Sequence, residues 1–237
     1  IAVRPRDEEA RSKLKELYTK RRAWGPLYSL YEASLADAEG ADKMELLSEM
    51  AKLAAERLDR GADAIRLQKQ ILDIDPSAVQ VYDALEKQAE REKDFATLAE
   101  VLERRVDAVA DAPTKLAILQ KLGAVYADRL KDNAGATKTW RRVLELSPGQ
   151  AKALRVLRET YLAAEDYDAL EQLYASQNDW EGLAEFLSTS ADKSHDRDQK
   201  VSLSFRAAHV YEDKLGAPER ATRSYERVLS VDVGNAR

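Results

Sequence analysis

The residues best equipped for chemistry are the two histidines, His195 and His209, and the carboxylates around the first. His195 lies in the run DKSHDRDQ, flanked by Asp192, Asp196 and Asp198. An imidazole among carboxylates could hold a divalent cation or relay a proton. The same run also reads as a solvated connection between two helices, with Ser and Asp capping the second. No glycine supplies the turn of a cation loop and no second histidine is near, so the connection is the favoured reading. His209, in FRAAHVYEDKL, follows fourteen positions later, outside the i, i+4 spacing that puts two ligands on one helix face. It reads as a packed or partner-facing residue.

Other routes to catalysis are equally bare. The glycines are isolated, and none forms a phosphate-cradling G-x-x-x-x-G-K-[ST] or G-x-G-x-x-G loop. Serine, histidine and aspartate are present, but no strained turn sets a serine beside a base. Glu86 with Arg91, and Glu100 with Arg104, stand at helical spacing and read as surface charge. No catalytic, cofactor-binding or metal-binding residue is assigned, and the expectation is a protein that is not an enzyme.

The 237 residues carry no cysteine, which removes disulfides, thiolate chemistry and cysteine-based zinc sites. The compartment stays open, the cytoplasm being the default. The formal net charge is −5 and no Lys/Arg block could follow a phosphate backbone, which argues against nucleic acid as a partner. No segment approaches the ~18 apolar residues needed to span a membrane. Apolar residues make up 44% and charged residues 34%, a balance that suits helices with one buried and one wet face.

Elements that could position a functional surface come from repetition. AIRLQKQILDIDP, ATKTWRRVLELSP and ATRSYERVLSVDV begin at Ala64, Ala136 and Ala221, 72 and then 85 residues apart. Before them, in register, run KMELLSEMAKLAAERL, KLAILQKLGAVYADRL and KVSLSFRAAHVYEDKL. Further upstream stand aromatic-led segments that open at Trp24, Phe95 and Trp180. A period of this size means one stacked unit of roughly four helices, and a stack offers a long surface rather than one pocket. The units span residues 1–76, 77–148 and 149–237 of a single solenoid.

Periodicity gives helix throughout. Leu116, Leu119, Leu122, Gly123 and Tyr126 draw one apolar stripe. Gly61, Pro76, Pro113, Pro148 and Gly216 fall where helices should start or stop. Asp94, Asp166 and Asp179 each precede an aromatic, as an N-cap would. The expectation is an all-α fold of about thirteen helices between Asp7 and Val231. The last unit carries 13 extra residues, and Asp166–Ser176 reads both as the second helix for Leu157/Tyr161 and as the first helix for Trp180. That predicts a kink or a change of curvature within residues 150–190.

Leu122-Gly123-x-x-Tyr126, Ala136-x-x-x-Trp140 and Pro148 together resemble the tetratricopeptide repeat (TPR). Looser matches cover most of the chain, among them Tyr82 with Phe95 and Leu157/Tyr161 with Tyr167. Gln68 departs from the pattern, standing where Trp140 and Tyr225 stand in the sister copies. The resemblance implies an α-solenoid of antiparallel hairpins that presents a groove lined by the first helix of each pair. The groove candidates are then Gln80, Asp83 and Lys87; Gln120, Lys121 and Ala124; Arg155 and Glu159; and Phe205 and His209. Asp83 and Glu159 interrupt the basic residues, so the mixed charge suits a helix or an extended polar segment better than an acidic C-terminus. Tyr28 and Phe205 lie off the packing pattern and are candidate exposed anchors.

Three functions fit: a protein-interaction scaffold gripping a helix or peptide of a protein partner; a spacer or self-associating module; or a regulatory arm of a larger protein. No polar capping helix follows Val231, so the expectation is a piece of a longer repeat protein.

Overall fold

Among residues 8–231, which the computed structural model describes, there are thirteen α-helices and no strand. They are α1 (Glu8–Lys20), α2 (Trp24–Leu35), α3 (Gly40–Glu56), α4 (Gly61–Ile74), α5 (Val79–Glu92), α6 (Phe95–Ala108) and α7 (Ala112–Ala124). Then come α8 (Asn133–Leu146), α9 (Ala151–Ala163), α10 (Tyr167–Ser176), α11 (Trp180–Lys193), α12 (Arg197–His209) and α13 (Pro218–Val231). The chain divides into two compact units, through Leu146 and from Ser147. The first holds α1–α8 and the second α9–α13. Within each, the extensive helix contacts join neighbours in sequence. Short connections between packed neighbours force them antiparallel, and strictly sequential packing is the mark of an α-solenoid.

Each hairpin closes through a residue in the left-handed region: Arg22, Asp59, Lys93, Lys131, Glu165, Asn178 and Gly216, with φ between 53° and 59°. This lets the amides just past the first helix turn back onto its last carbonyls. In the three sister copies the closing bond is the same, from Arg60, Asp132 and Ala217 N–H to the carbonyls of Ala54, Tyr126 and Tyr211. In the second and third copies the preceding turn widens to a π-helix, Val125–Leu130 and Val210–Lys214. Hairpins are joined to one another without such a residue at 75–78, 109–111 and 194–196. The α2–α3 connection is one exception, with Gly40 at φ 55°, and the ten-residue α10 is another, because left-handed residues Glu165 and Asn178 stand at both its ends. It packs on α9 and on α11, which is the double role anticipated for Asp166–Ser176.

The hairpins pack through a small residue on the first helix against a large one on the second. A Cβ added at Gly123 would lie 2.7 Å from Trp140 Cε2, so only glycine permits this approach, and Trp140 is 1% exposed. At the matching positions the third copy has Ala208 and Tyr225, and the first has Ala51 and Gln68. Gln68 is 9% exposed, and its Oε1 has no hydrogen-bond partner. Tyr28 is no exposed anchor. It belongs to the core of the first hairpins with Leu27, Tyr31 and Leu47, because α2 is covered by α1 on one side and α3 on the other.

Charges make the next layer of contacts, reaching past the neighbouring helix to the one beyond. Lys69 of α4 meets Glu100 of α6 at 2.6 Å, and Arg104 of α6 meets Asp73 of α4 at 2.9 Å. Arg142–Asp107 and Arg227–Asp192 repeat one such pair 85 residues apart, joining α6 to α8 and α11 to α13. Glu100 and Arg104 therefore do not pair with each other along their helix. Each of these exposed bridges is worth about 0–1 kcal/mol. The Asp94, Asp166 and Asp179 carboxylates accept from the amides of Thr97, Ala169 and Gly182, as N-caps. Asp196 caps α12 at Gln199, and His195 beside it is exposed, so the DKSHDRDQ run is the connection it resembled.

Trp140→Ala should cost about 3–5 kcal/mol in urea unfolding, because it empties a fully buried ring site. Tyr126 supplies a pH test. Burial first, and its 2.7 Å hydrogen bond to Glu103 second, push its phenol up to about 12. A folded-state value raised above the ordinary ~10 stabilises the fold fully below pH ~10, and this contribution drains away as pH climbs toward 12. Unfolding midpoints measured at pH 8 and pH 11 should converge in Tyr126→Phe relative to the parent protein.

Candidate functional site

Grooves recur between alternate helices, floored by the helix that lies between them. The first runs over α2 between α1 and α3, with a volume of about 250 Å³ and Lys15, Leu27, Tyr31, Lys52 and Glu56 in its lining. The next lies over α4 between α3 and α5 and measures about 700 Å³. In the second unit a groove of about 870 Å³ lies over α11 between α10 and α12. Each uses the outward face of first-of-pair helices, the face the repeat pattern leaves unpacked.

The groove of the second unit is aromatic. Its floor is Leu183 and Leu187, its walls Tyr167 and Phe205, and Tyr225 of α13 closes one end. The Phe205 and Tyr225 rings meet edge to face at 6.0 Å, and His209 lies 6.5 Å from Tyr225, again edge-on. The Tyr225 hydroxyl donates to Glu212 at 3.0 Å, which holds the ring upright. The Arg206 guanidinium lies 4.6 Å over the Tyr167 ring and 3.4 Å from Asp168. Tyr167 is 8% exposed, and its buried hydroxyl stands beside the Ser202 and Gln199 side chains. Burial, the largest influence on it, raises that phenol's pKa.

The α3–α5 groove differs in kind. Ala51, Ala55 and Ala84 leave its walls low, Ile71 and Gln68 form its floor, and Lys52, Lys87 and Arg91 face one carboxylate, Glu56. Arg91 is held by Asp59 at 3.2 Å. Lys52 and Lys87 enter no ion pair among the described residues.

Of the candidates read from sequence, Gln80 and Lys87 line the α3–α5 groove and Phe205 and His209 line the α10–α12 groove. Phe205 is half-buried and His209 is exposed. Arg155 and Glu159 are exposed on α9 and line neither groove. Gln120 is half-buried on α7. Asp83 and Lys121 are engaged elsewhere, in an ion cluster that joins α5, α6 and α7. Glu86, 7% exposed, sits between Arg105 and Lys121, the latter at 2.7 Å. Asp83 meets Arg105 at 2.7 Å, and Glu90 meets Lys121 at 2.9 Å. Burial opposes the charge on both cations, but the carboxylate bonds outweigh it and raise their pKa values. Glu86 is thus a buried partner of neighbouring helices, not surface charge paired with Arg91.

Sequence reading passed over Ser48 and Lys52, and it took Gln68 only as a departure in the packing, not as a groove residue. The repeat contains the signal for the first two. Ser48 and Lys52 occupy the α3 positions that Phe205 and His209 occupy in α12, in the aligned runs from Lys43 and Lys200.

No protein-family model matches the chain, and no curated protein does. Among solved structures, similar chains include MamA, at 14% identity over 95% of this chain and 91% of that one, with a TM-score of 0.38. The C-terminal part of a TPR repeat-containing protein from Cytophaga hutchinsonii aligns at 17% identity over 96% and 90%, with a TM-score of 0.37. YrrB, described as a TPR protein with an unusual peptide-binding site, aligns at 16% identity over 80% and 87%, with a TM-score of 0.35. The fold is defined by the helix packing described above.

Glu86→Ala should destabilise the first unit by about 3 kcal/mol, the lower end for breaking a buried pair, because Asp83 and Glu90 still partly compensate the two cations. Asp83→Ala, at an exposed carboxylate, should stay within about 1 kcal/mol. Urea denaturation of both variants reads the difference.

Proposed function

From a TPR-like array of helix hairpins with grooves between alternate helices, we propose that the protein is a non-catalytic interaction scaffold that holds a peptide or helix of a protein partner. The observation that carries this reading is the recurrence of the groove on one helix face, with a constant frame and changing side chains. Equivalent positions hold Ser48, Gln120 and Phe205, or Lys52, Ala124 and His209. A frame that keeps its packing residues while varying one exposed row is built to present chemistry rather than to perform it. The α10–α12 groove is the main seat. Its edge-on Phe205 and Tyr225 rings, with the Tyr167 wall and the exposed His209 beside them, combine apolar area with polar edges, the mixture found at binding hot spots. Its volume lies within the ~300–1,000 Å³ range of ligand-sized clefts.

The test is capture from a lysate of the source organism with the whole chain and with a Phe205→Ala/His209→Ala variant, whose helical circular dichroism and melting temperature are checked first. A protein retained by the parent chain and depleted at least tenfold by the variant supports groove binding. Equal retention by both removes the α10–α12 groove from the reading.

A further inference from the structure

We propose that the first unit carries a separate docking site outside the grooves, a cleft at the α2–α4 edge that takes an arginine side chain of a partner protein. The cleft shares no lining residue with any groove described above, so the proposal goes beyond the groove-binding reading.

The three sister copies differ at one ion pair. In the second, Arg142 of α8 meets Asp107 near the end of α6 at 3.4 Å. In the third, Arg227 of α13 meets Asp192 near the end of α11 at 2.9 Å. The matching positions of the first copy hold Gln70 and Ala36, so both members of the pair are missing. A third change accompanies these two. Glu103, one turn before Asp107, accepts from the Tyr126 hydroxyl at 2.7 Å. Its counterpart Glu32 stands one turn before Ala36, but Ala54 occupies the tyrosine position. Glu32 is exposed, and it makes no hydrogen bond or ion pair among the described residues.

Where the missing pair would lie, the first copy has a cleft of about 530 Å³ lined by Gln70, Ala36 and their neighbours. Leu35 and Ile74, the latter 43% exposed, give it an apolar wall along which the methylene stem of an arginine can lie. Glu32 and Asp73 supply carboxylates for the head. Asp73 meets Arg104 at 2.9 Å through one oxygen, and its other oxygen can still accept. A planar guanidinium, with five donors in a fixed fork, serves two carboxylates better than a point-like ammonium does. Lys43 is the one cation in the lining, and it is no obstacle. Lys115 and Lys200 occupy its position in the sister copies, which carry Arg142 and Arg227 at the Gln70 position. Glu39 and Asp42 follow Ala36 closely in the chain, and their field favours the approach of a basic segment. Two copies thus fill this place with an arginine of their own, and the first leaves it to an arginine from outside.

The experiment pans a phage-displayed library of random 12-residue peptides on the intact protein. Counter-selection uses Ala36→Asp/Gln70→Arg, a variant that rebuilds the sister pair, fills the cleft from within and should keep the parent's melting temperature. The consensus peptide is then synthesised with a fluorescein label and its affinity read by anisotropy. The expected consensus contains an arginine, and replacing that residue by citrulline, its neutral isostere, weakens binding at least tenfold. Glu32→Gln, at an exposed position, should weaken it at least fivefold, and Phe205→Ala/His209→Ala should leave it unchanged. No enrichment beyond the counter-selected protein overturns the proposal. So does a consensus without arginine, or an affinity that changes less than twofold with citrulline or with Glu32→Gln. A consensus peptide released by Phe205→Ala/His209→Ala sits in the α10–α12 groove, so the proposal falls and the groove-binding reading stands.

Discussion

The contact between a small residue on one helix and a ring on its partner sets the spacing of the hairpins, and the rest of the structure follows from that spacing. Gly123 lets Trp140 into the crevice between α7 and α8, and the third copy has Ala208 and Tyr225 at the matching positions. With the helices drawn together, alternate helices end up near enough for long side chains to span them. The Asp107–Arg142 and Asp192–Arg227 bridges do so at matching positions. The grooves are the space left on the other side of the same arrangement. Their character is decided where the contact varies: aromatic where Tyr225 projects, polar and open where Gln68 replaces a ring.

Much of this was legible from the chain alone, for identifiable reasons. Repetition at Ala64, Ala136 and Ala221 exposed the unit, and the aspartates before Phe95, Tyr167 and Trp180 marked helix starts because capping is a local interaction between residues three apart. What stayed hidden depends on partners distant in sequence. Spacing along one helix suggested Glu86 with Arg91, whereas the real partners come from α6 and α7. Tyr28 looked misplaced because α2 is apolar on more than one face, and only the two helices flanking it show why. The departure at Gln68 was visible, but its lack of a hydrogen-bond partner was not, since that is a property of everything around it.

Two kinds of polar group are buried here, and they behave differently. Glu86 lies among cations that satisfy it, and it ties three helices into one register. The Gln68 oxygen is buried without such satisfaction, beneath a residue row that lines a groove. Satisfied burial hardens a frame. Unsatisfied burial costs folding free energy that an apolar residue in the same place would avoid.

The left-handed residues at both ends of α10 have a consequence for cooperativity. A solenoid unit behaves as a line of coupled segments, each stabilised by its own propensity and by its two interfaces. Ten residues fall short of the ~12–15 at which an isolated helix becomes even marginally stable in water, so α10 holds its shape only through α9 and α11. Its contact with α11 is the thinnest between successive helices of that unit. α10 is therefore the link at which structural order passes least firmly along the second unit. α11–α13, which pack on one another far more extensively, are expected to lose and regain order as one block, only weakly coupled to α9.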